Sequence, residues 1–270
     1  MSRLAALQHA MSPDIAVNLA TAGRMLEAAA DEGAKLAVFP ELQLSPFFPV
    51  RRGHDAARYA MQGDDPALEA LGELARQHGI VVVANVYFQD AQGERFDASP
   101  VFDADGTLLG IPQMVHIAQF ENFWEKDYYA SGAGFEVYDT AAGRLGIVIC
   151  YDRHFPESYR ACALQGAEII ATPTCNLAGE PLDLFAWEMR TLAMQNSVYS
   201  ILANRCGIED GTAYGGHSVI AGPDGSLLAQ AGDGETVLTA AYDLARRAEI
   251  ARNANWLGEL KPWLKPQTAG

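Results

Sequence analysis

Short apolar runs alternate with amphipathic stretches along the first third of the chain. Three runs are mostly apolar and predict buried strands, at residues 3–8, 36–39 and 80–84. The stretches between them predict helices. The first opens at Ser12-Pro13-Asp14, with Ser12 as its cap and Pro13 at its first position, and the second opens at Asp64-Asp65-Pro66. Strands that alternate with helices in this way indicate a layered α/β protein.

The rest of the pattern adds antiparallel strands. Gln92-Gly93 and Asp105-Gly106 are turn signals between extended stretches. Further strands are predicted at 145–149, 168–171, 198–203, 217–221, 226–230 and 235–241, and further helices from about 156 and over 181–196. Because the chain shows no repeat and no linker, we expect a single domain with mixed sheets over residues 1–270, with a C-terminal tail over about 244–270.

The formal net charge of −15 separates this chain from proteins that bind polyanions. Phosphate backbones and anionic membrane surfaces both attract basic patches, so neither nucleic acid nor a membrane is an expected partner. No stretch stays apolar for the length of a membrane span, and the N-terminus has no secretory-signal pattern. We therefore expect a cytoplasmic protein.

Four cysteines supply a candidate nucleophile. No pair has CxxC spacing and they are too few for a disulfide scaffold, so we expect reduced thiols and no metal. Cys150 ends an apolar strand just before a helix, where the strand end faces a crevice and the turn into the helix favours a thiolate. The alternative is an inert buried cysteine. Cys175 also ends a strand and could line the same cleft, whereas Cys162 and Cys206 are assigned to packing.

Glu41 is the candidate general base. It follows Phe39-Pro40 at the end of a predicted strand, and Phe47 and Phe48 lie close behind it in the sequence. A carboxyl group walled by these rings would be desolvated, which raises its pKa towards neutral pH. The alternative is an exposed glutamate at the start of a loop.

Several segments together resemble the nitrilase, or carbon–nitrogen hydrolase, superfamily. They are V-F-P-E-L at 38–42, D-A-D-G-T at 103–107, G-I-V-I-C-Y-D at 146–152, F-P-E at 155–157, Q-G-A-E-I at 165–169 and A-N-R at 203–205. They fall in the family's order, and the resemblance runs from about residue 3 to residue 243. It implies a four-layer α-β-β-α sandwich that assembles into homodimers or larger homo-oligomers.

The family uses two glutamates, a lysine and a cysteine. By resemblance, Cys150 is the nucleophile, Glu41 is the general base, and Glu125 in the aromatic segment 124–129 is the second glutamate. The implied reaction is attack of the thiol on a carbon bound to nitrogen, loss of ammonia or an amine, and hydrolysis of the thioester. The resemblance implies neither a cofactor nor a metal.

One catalytic position departs from the family pattern. The lysine normally lies on a strand, two residues before a histidine that matches His116, so Met114 occupies its position. Methionine cannot donate a hydrogen bond to an oxyanion, and loss of such a donor typically lowers the rate roughly a hundredfold to a thousandfold. It also cannot balance the negative charge of two buried carboxylates. His116, expected on the same side of the strand, could carry the missing charge, although its family role is structural. Lys126, beside Glu125, is a weaker candidate.

The residues after the nucleophile indicate an acidic substrate. The turn Y-D-R-H-F-P at 151–156 resembles N-carbamoyl amino acid and β-ureido acid amidohydrolases, in which basic residues hold a substrate carboxylate. Arg153 or His154 would hold it here. The alternative is that Arg153 forms a structural ion pair with Asp152, Glu157 or another acid.

A second segment points the other way. Residues 44–48, L-S-P-F-F, resemble the N-carbamoylputrescine amidase branch, whose substrate carries a cation. Tyr151 and Cys175 are expected to contact the substrate, and the aromatic residues of 120–129 are expected to wall the pocket.

Three interpretations stay open. The first is a hydrolase of non-peptide carbon–nitrogen bonds in a small amide or N-carbamoyl compound, although a nitrile substrate is also open. Tyr151, rather than a tryptophan, after the nucleophile favours amides. The second is a catalytically attenuated homologue that binds a small molecule or a protein, and it depends on Met114 alone. The third is that Met114 is an introduced substitution.

Overall fold

Strands and helices alternate in the computed structural model, which describes residues 2–262. The strands are β1 Arg3–Gln8, β2 Ala34–Val38, β3 Val81–Val83, β4 Val86–Gln89, β5 Arg95–Ala98, β6 Val101–Phe102, β7 Leu108–Gly110, β8 Val137–Thr140, β9 Gly143–Ile147, β10 Ile169–Thr174, β11 Tyr199–Asn204, β12 Cys206–Glu209, β13 Thr212–Gly215, β14 Val219–Ala221, β15 Leu227–Gln230 and β16 Thr236–Ala241. The helices are α1 Ile15–Asp31, α2 Pro66–His78, α3 Pro156–Leu164, α4 Leu182–Asn196, α5 Leu244–Asn253 and α6 Trp256–Glu259.

Two mixed sheets with the same plan form the centre of the molecule. The first has the order β16-β1-β2-β3-β6-β7, and the second has the order β15-β14-β11-β10-β9-β8. In each sheet three central strands are parallel, β1 to β3 in the first and β9 to β11 in the second. The flanking strands pair antiparallel. Parallel strands bring their carboxyl ends to one edge, where the following loops gather.

The two sheets pack face to face, and helices cover their outer faces. Strands β1 and β2 contact β10 and β11 across the sandwich, around a shared apolar core. Helices α1 and α2 pack on the first sheet and α3 and α4 on the second, each pair with its own apolar cluster. The predicted four-layer α-β-β-α sandwich with mixed sheets is therefore confirmed.

The first helix begins later than its sequence pattern predicts. Its N-cap is Asp14, whose carboxylate accepts a hydrogen bond from the Ala16 N–H at 2.9 Å. Ser12 instead accepts a hydrogen bond from the N–H of Asp14 at 3.1 Å, in the turn that precedes the helix. The prediction of Ser12 as the cap is wrong, because an ionised carboxylate two residues on is the stronger acceptor for the free N–H groups of the first turn.

Two other segments also differ from the prediction. The sequence reading missed the hairpin of β12 and β13, although its turn, Asp210-Gly211, is a typical signal, with φ values of 47° and 82° at the two residues. The segment of Met114 and His116 was expected to be a strand. It is a loop instead, with a single isolated bridge from Gln113 to Ala98.

The C-terminal tail expected from about residue 244 contains α5 and α6, and residues 263–270 lie outside the described part of the chain. The single-domain organisation stays a prediction. Within residues 2–262, no helix has the length and apolar character needed to cross a membrane.

Candidate active site

Glu41 lies in the loop after β2, where the two sheets meet. Its N–H donates to the carbonyl oxygen of Thr174 in β10 at 3.4 Å, which joins this loop to the second sheet. The next residue, Leu42, has φ 50°, a left-handed conformation that is uncommon for a residue other than glycine. The N–H of Leu42 donates to Asn85 Oδ1 at 2.7 Å. These contacts fix the direction of the Glu41 side chain.

The carboxyl group of Glu41 is fully buried, as its aromatic neighbours led us to expect. Neither of its oxygens has a hydrogen-bond partner among the described residues. Burial raises the pKa of Glu41 well above its usual value, and negative charge on Cys150 and Asp97 raises it further. A carboxylate in this environment binds a proton strongly, which is the property that a general base needs.

Asp97 places a second carboxyl group in the same buried region, and the sequence reading missed it. Asn85 Nδ2 donates to Asp97 Oδ1 at 2.6 Å and to Ser99 Oγ at 3.0 Å. Burial raises the pKa of Asp97 to about 6. The available signal was the alternation of Asp97 and Ser99 with Phe96 and Ala98, which puts two polar side chains on one face of an otherwise apolar stretch.

Cys150 stands at the turn between β9 and α3. It begins a short 3-10 helix, Cys150–His154, and its φ of 41° lies in the left-handed region. A non-glycine residue keeps such a conformation only where its surroundings hold it. The side chain is buried, with Sγ 3.9 Å from the carbonyl oxygen of Cys175. Burial raises the pKa of Cys150, and the positive charge of Arg153 is the largest opposing influence.

Glu125 reaches the same region from the aromatic loop. It begins the 3-10 helix Glu125–Asp127, and its Oε2 accepts a hydrogen bond from the Ala118 N–H at 2.9 Å. The side chain is fully buried, and burial raises the pKa of Glu125 to about 8. Glu41, Asp97 and Glu125 therefore form a group of buried carboxyl groups, each with a raised pKa.

One small cavity joins most of the predicted site residues. Its lining includes Glu125, Cys150, Tyr151, Arg153, His154 and Cys175, together with Phe120, Phe123, Asn176 and Glu180. Its volume is about 20 Å³, roughly that of one water-sized sphere. A larger cavity of about 480 Å³, lined in part by Phe47, Phe48 and Tyr214, contains none of the predicted catalytic residues. The chemistry of the side chains, rather than cavity size, locates the site.

Met114 is fully buried in the apolar core shared with Cys150, and its thioether brings no charge to the site. His116, expected on the same side of a strand, points elsewhere. Its Nδ1 lies 2.7 Å from Asp152 Oδ1, and its ring stacks on Phe155 at 3.8 Å. His116 therefore has a structural contact with a carboxylate rather than a place in the cavity. Lys126 is exposed and does not line the cavity.

Arg153 and His154, the residues expected to hold a substrate carboxylate, already share a partner. His154 Nδ1 lies 2.8 Å from Glu188 Oε1, and Arg153 Nε lies 3.3 Å from Glu188 Oε2. Arg153 is almost fully buried. The structural ion pair considered for Arg153 is present, but its partner is Glu188 on α4 and neither Asp152 nor Glu157.

The sequence reading also missed the polar residues that surround Arg153. Thr174 and Asn176 flank Cys175 at the end of β10, whereas Glu180 and Glu188 come from the next loop and helix. Only Thr174 and Asn176 had a signal in the sequence, because they adjoin Cys175, which was already expected at the cleft. The contact with Glu188 spans more than thirty residues, and no local pattern predicts it.

The fold and the site together define a class of protein: an α-β-β-α sandwich with a cysteine, glutamates and an arginine buried where its sheets meet. A family model, carbon-nitrogen hydrolase, matches residues 3–252. The chain belongs to the carbon–nitrogen hydrolase family, and it is a hydrolase of the amidase and nitrilase class.

Individual relatives agree with this assignment. The chain is 35% identical over 259 residues to N-carbamoylputrescine amidase from Solanum lycopersicum, a match covering 89% of this chain and 86% of the relative. It is 31% identical to omega-amidase NIT2-A from Xenopus laevis, covering 92% and 91%. Among solved structures, it is similar to an amidase from Nesterenkonia sp. AN1 with acrylamide added at its active-site cysteine, with a TM-score of 0.79, 29% identity and coverage of 94% and 100%.

Proposed function

We propose that this protein hydrolyses the carbon–nitrogen bond of a small amide or N-carbamoyl compound, with Cys150 as nucleophile and Glu41 as general base. The observation that carries the proposal is the meeting of Cys150 and Glu125 in one cavity, with the buried carboxyl of Glu41 close enough to Cys150 for the two charges to interact. The active-site cysteine of the Nesterenkonia amidase supports the same assignment.

The proposed reaction has two halves. In the first, Glu41 takes the thiol proton and Sγ of Cys150 attacks the carbonyl carbon; Glu41 then returns the proton to the nitrogen, the carbon–nitrogen bond breaks, and ammonia or an amine leaves a thioester behind. In the second, Glu41 takes a proton from water, the hydroxide attacks the thioester, and the thiol recovers its proton. Glu125 is fully buried and lines the cavity with Cys150, where burial and the negative charge of Glu125 raise the pKa of both Cys150 and Glu41.

We further propose that the substrate is neutral or cationic at the end that faces Glu180. The two basic residues at the cavity are both engaged by Glu188, which weakens the case for a substrate carboxylate. The carboxylate of Glu180 lines the cavity and accepts one hydrogen bond, from the Leu177 N–H at 2.6 Å. The resemblance to N-carbamoylputrescine amidase, whose named substrate is an amine, agrees with this charge pattern.

The test is ammonia release by the purified protein, with Cys150→Ala as control. The panel pairs a cationic N-carbamoyl amine with its uncharged analogue, and includes N-carbamoyl amino acids, ω-amides of dicarboxylic acids, simple amides and nitriles. We expect release that depends on Cys150 and is fastest for the cationic or neutral members. Glu180→Gln should raise the Michaelis constant for the cationic member alone. Preferred turnover of acidic members would overturn the charge assignment.

A second candidate is an attenuated homologue that binds a small molecule. The observation in its favour is Met114, which is uncharged at the position where the resemblance expects a lysine. Absence of ammonia release across the panel, with circular dichroism showing a folded protein, would favour this candidate over the hydrolase.

A further inference from the structure

The guanidinium group of Arg153 is held against the candidate nucleophile. Its Nη1 donates to the carbonyl oxygen of Cys150 at 2.9 Å and to Thr174 Oγ1 at 2.9 Å, and it lies 3.9 Å from Cys150 Sγ. Its Nη2 donates to Asn176 Oδ1 at 2.8 Å. The planar group also packs over the ring of Phe185, at 4.7 Å from the ring centre. These contacts leave it little freedom to move.

No other lysine or arginine in the described residues lines this cavity. Met114 is uncharged, and Lys126 lies exposed on the aromatic loop. The second fully buried arginine, Arg205, holds the loop after Glu41 instead, where its Nη2 donates to the Ser45 carbonyl oxygen at 2.7 Å. The positive charge that faces Sγ therefore comes from Arg153.

We propose that Arg153 stabilises the Cys150 thiolate, and so provides the cationic support that the resemblance assigns to a lysine at position 114. This inference rests on the proposed role of Cys150 as the nucleophile. Two unit charges about 4 Å apart in a partly buried site interact strongly, and little solvent screens them here. The proton still moves from Sγ to Glu41, so Arg153 changes the equilibrium of this transfer and takes no proton itself.

Other ionisable groups face the pair and set the size of the effect. Those close to Cys150 are Glu41 from the loop after β2, Glu125 from the aromatic loop and Cys175 from the end of β10. Those close to Arg153 are Glu188 from α4, Glu180 from the loop before it, and His154, which shares Glu188. The carboxylates oppose a thiolate, and Glu188 partly compensates the guanidinium charge. Removal of the Arg153 charge and removal of the Glu188 charge should therefore shift the midpoint of the thiol titration in opposite directions.

The experiment follows the ultraviolet absorbance of the thiolate as a function of pH. The curve of each protein is corrected by that of its Cys150→Ser counterpart, over the range in which circular dichroism shows a folded chain. We expect Arg153→Met to raise the midpoint by at least about one pH unit, which lowers the thiolate fraction at neutral pH about tenfold. Arg153→Lys should keep most of the wild-type midpoint. Arg246→Met, which removes an exposed arginine paired with Glu249, should leave it unchanged.

Glu188→Gln keeps the guanidinium in place and removes its counter-charge, so it should lower the midpoint. It also provides a test if Arg153→Met fails to fold. An unchanged midpoint in a folded Arg153→Met, or an unchanged or raised midpoint in Glu188→Gln, would overturn the inference. Because this titration needs no turnover, its result is separate from that of the ammonia assay: a protein silent on every amide can still show the shift, and an active one can lack it.

Discussion

The two sides of Cys150 are built differently. On the carboxyl side, formed by Glu41, Asp97 and Glu125, buried oxygens have few hydrogen bonds, and those of Glu41 have none among the described residues. On the guanidinium side, Arg153 is held by Thr174, Asn176 and Glu188 and by the carbonyl oxygen of Cys150 itself. The carboxyl side holds ionisable groups with few hydrogen bonds, whereas both Nη atoms of Arg153 are hydrogen-bonded and only its Nε lacks a hydrogen-bond partner among the described residues.

This difference matches the tasks proposed for the two sides. A group that must accept and return a proton needs a pKa that its surroundings have displaced, and poor solvation achieves this at a cost in stability. A group that only supplies charge works best when its position and protonation are fixed. The carboxyl side should therefore respond to substitution mainly in chemistry and in pH dependence, and the guanidinium side mainly in the ionisation of Cys150.

The largest effect is expected from Glu41→Gln, which removes the proton acceptor and keeps the shape of the side chain. We expect turnover of the best substrate to fall by about a thousandfold, within the usual range for loss of a general base. Since burial and the charges of Asp97 and Glu125 oppose ionisation of Glu41, its replacement by a neutral amide should not lower the free energy of unfolding. Steady-state rates and urea unfolding measure the two quantities. Turnover within tenfold of wild type would remove Glu41 from the mechanism.

Arg205→Met disturbs the support of the carboxyl side. Arg205 is fully buried, with its Nε 3.4 Å from Glu209 Oε1 and its Nη2 bonded to the Ser45 carbonyl oxygen. Removing one partner leaves a buried carboxylate without its counter-charge, which costs about 3–5 kcal/mol. Urea unfolding of Arg205→Met should show this loss, and the double variant with Glu209→Gln should recover part of it. A loss below about 1 kcal/mol would show that the pair contributes little.

Glu125→Gln tests the pH dependence of stability. The pKa of Glu125 is raised from an ordinary value to about 8, so the folded protein binds this proton more tightly than the unfolded chain does. The stability it provides is fully present below the unfolded pKa and is lost as pH rises through about 8. Wild type should lose on the order of 1 kcal/mol per pH unit from this group within that window.

The measurement is urea unfolding at mildly acidic and mildly alkaline pH. Glu125→Gln should flatten the decline, whereas Glu121→Gln, an exposed glutamate of the same loop, should leave it unchanged. Equal slopes in wild type and Glu125→Gln would show that Glu125 ionises normally.

The smallest effect is expected from Met114→Lys, which restores the residue that the resemblance expects. If Arg153 already supplies the cation, a second one should change turnover by less than about tenfold. A gain of a hundredfold or more, the usual value of a missing oxyanion donor, would show that the site lacks this charge. Turnover and the Cys150 titration, measured together, separate an effect on the nucleophile from an effect on later steps.

The sequence predicted the fold well because the fold follows local patterns. Apolar runs near residues 3–8, 80–84 and 168–171 became strands of the two sheets, and Pro66 and Pro156 begin helices where their position predicts. The errors were also local. Ser12 accepts a hydrogen bond from the N–H of Asp14, outside the helix, whereas Asp14 caps the helix, and the segment of Met114 lies against β5 without becoming a strand.

The site was predictable only in part. Residues within motifs, such as Glu41, Glu125 and Cys150, could be proposed by resemblance. The partner of Arg153 could not, because Glu188 belongs to an element distant in sequence, and the alternation around Asp97 indicates a polar face without indicating that it meets Glu41. The notion that Arg153 holds a substrate carboxylate came from its position in a motif, whereas its hydrogen bonds depend on how α4 packs beside the turn.

The hydrogen bond from the Glu41 N–H to the Thr174 carbonyl oxygen crosses from the loops of one sheet to those of the other. The proposed base follows a strand of the first sheet and the proposed nucleophile follows a strand of the second, so neither half of the sandwich contains both residues. Turnover should therefore depend on the correct packing of the two sheets against each other. A chain divided between β7 and β8 would separate Glu41 from Cys150, and recovery of catalysis on mixing the fragments would report their reassembly.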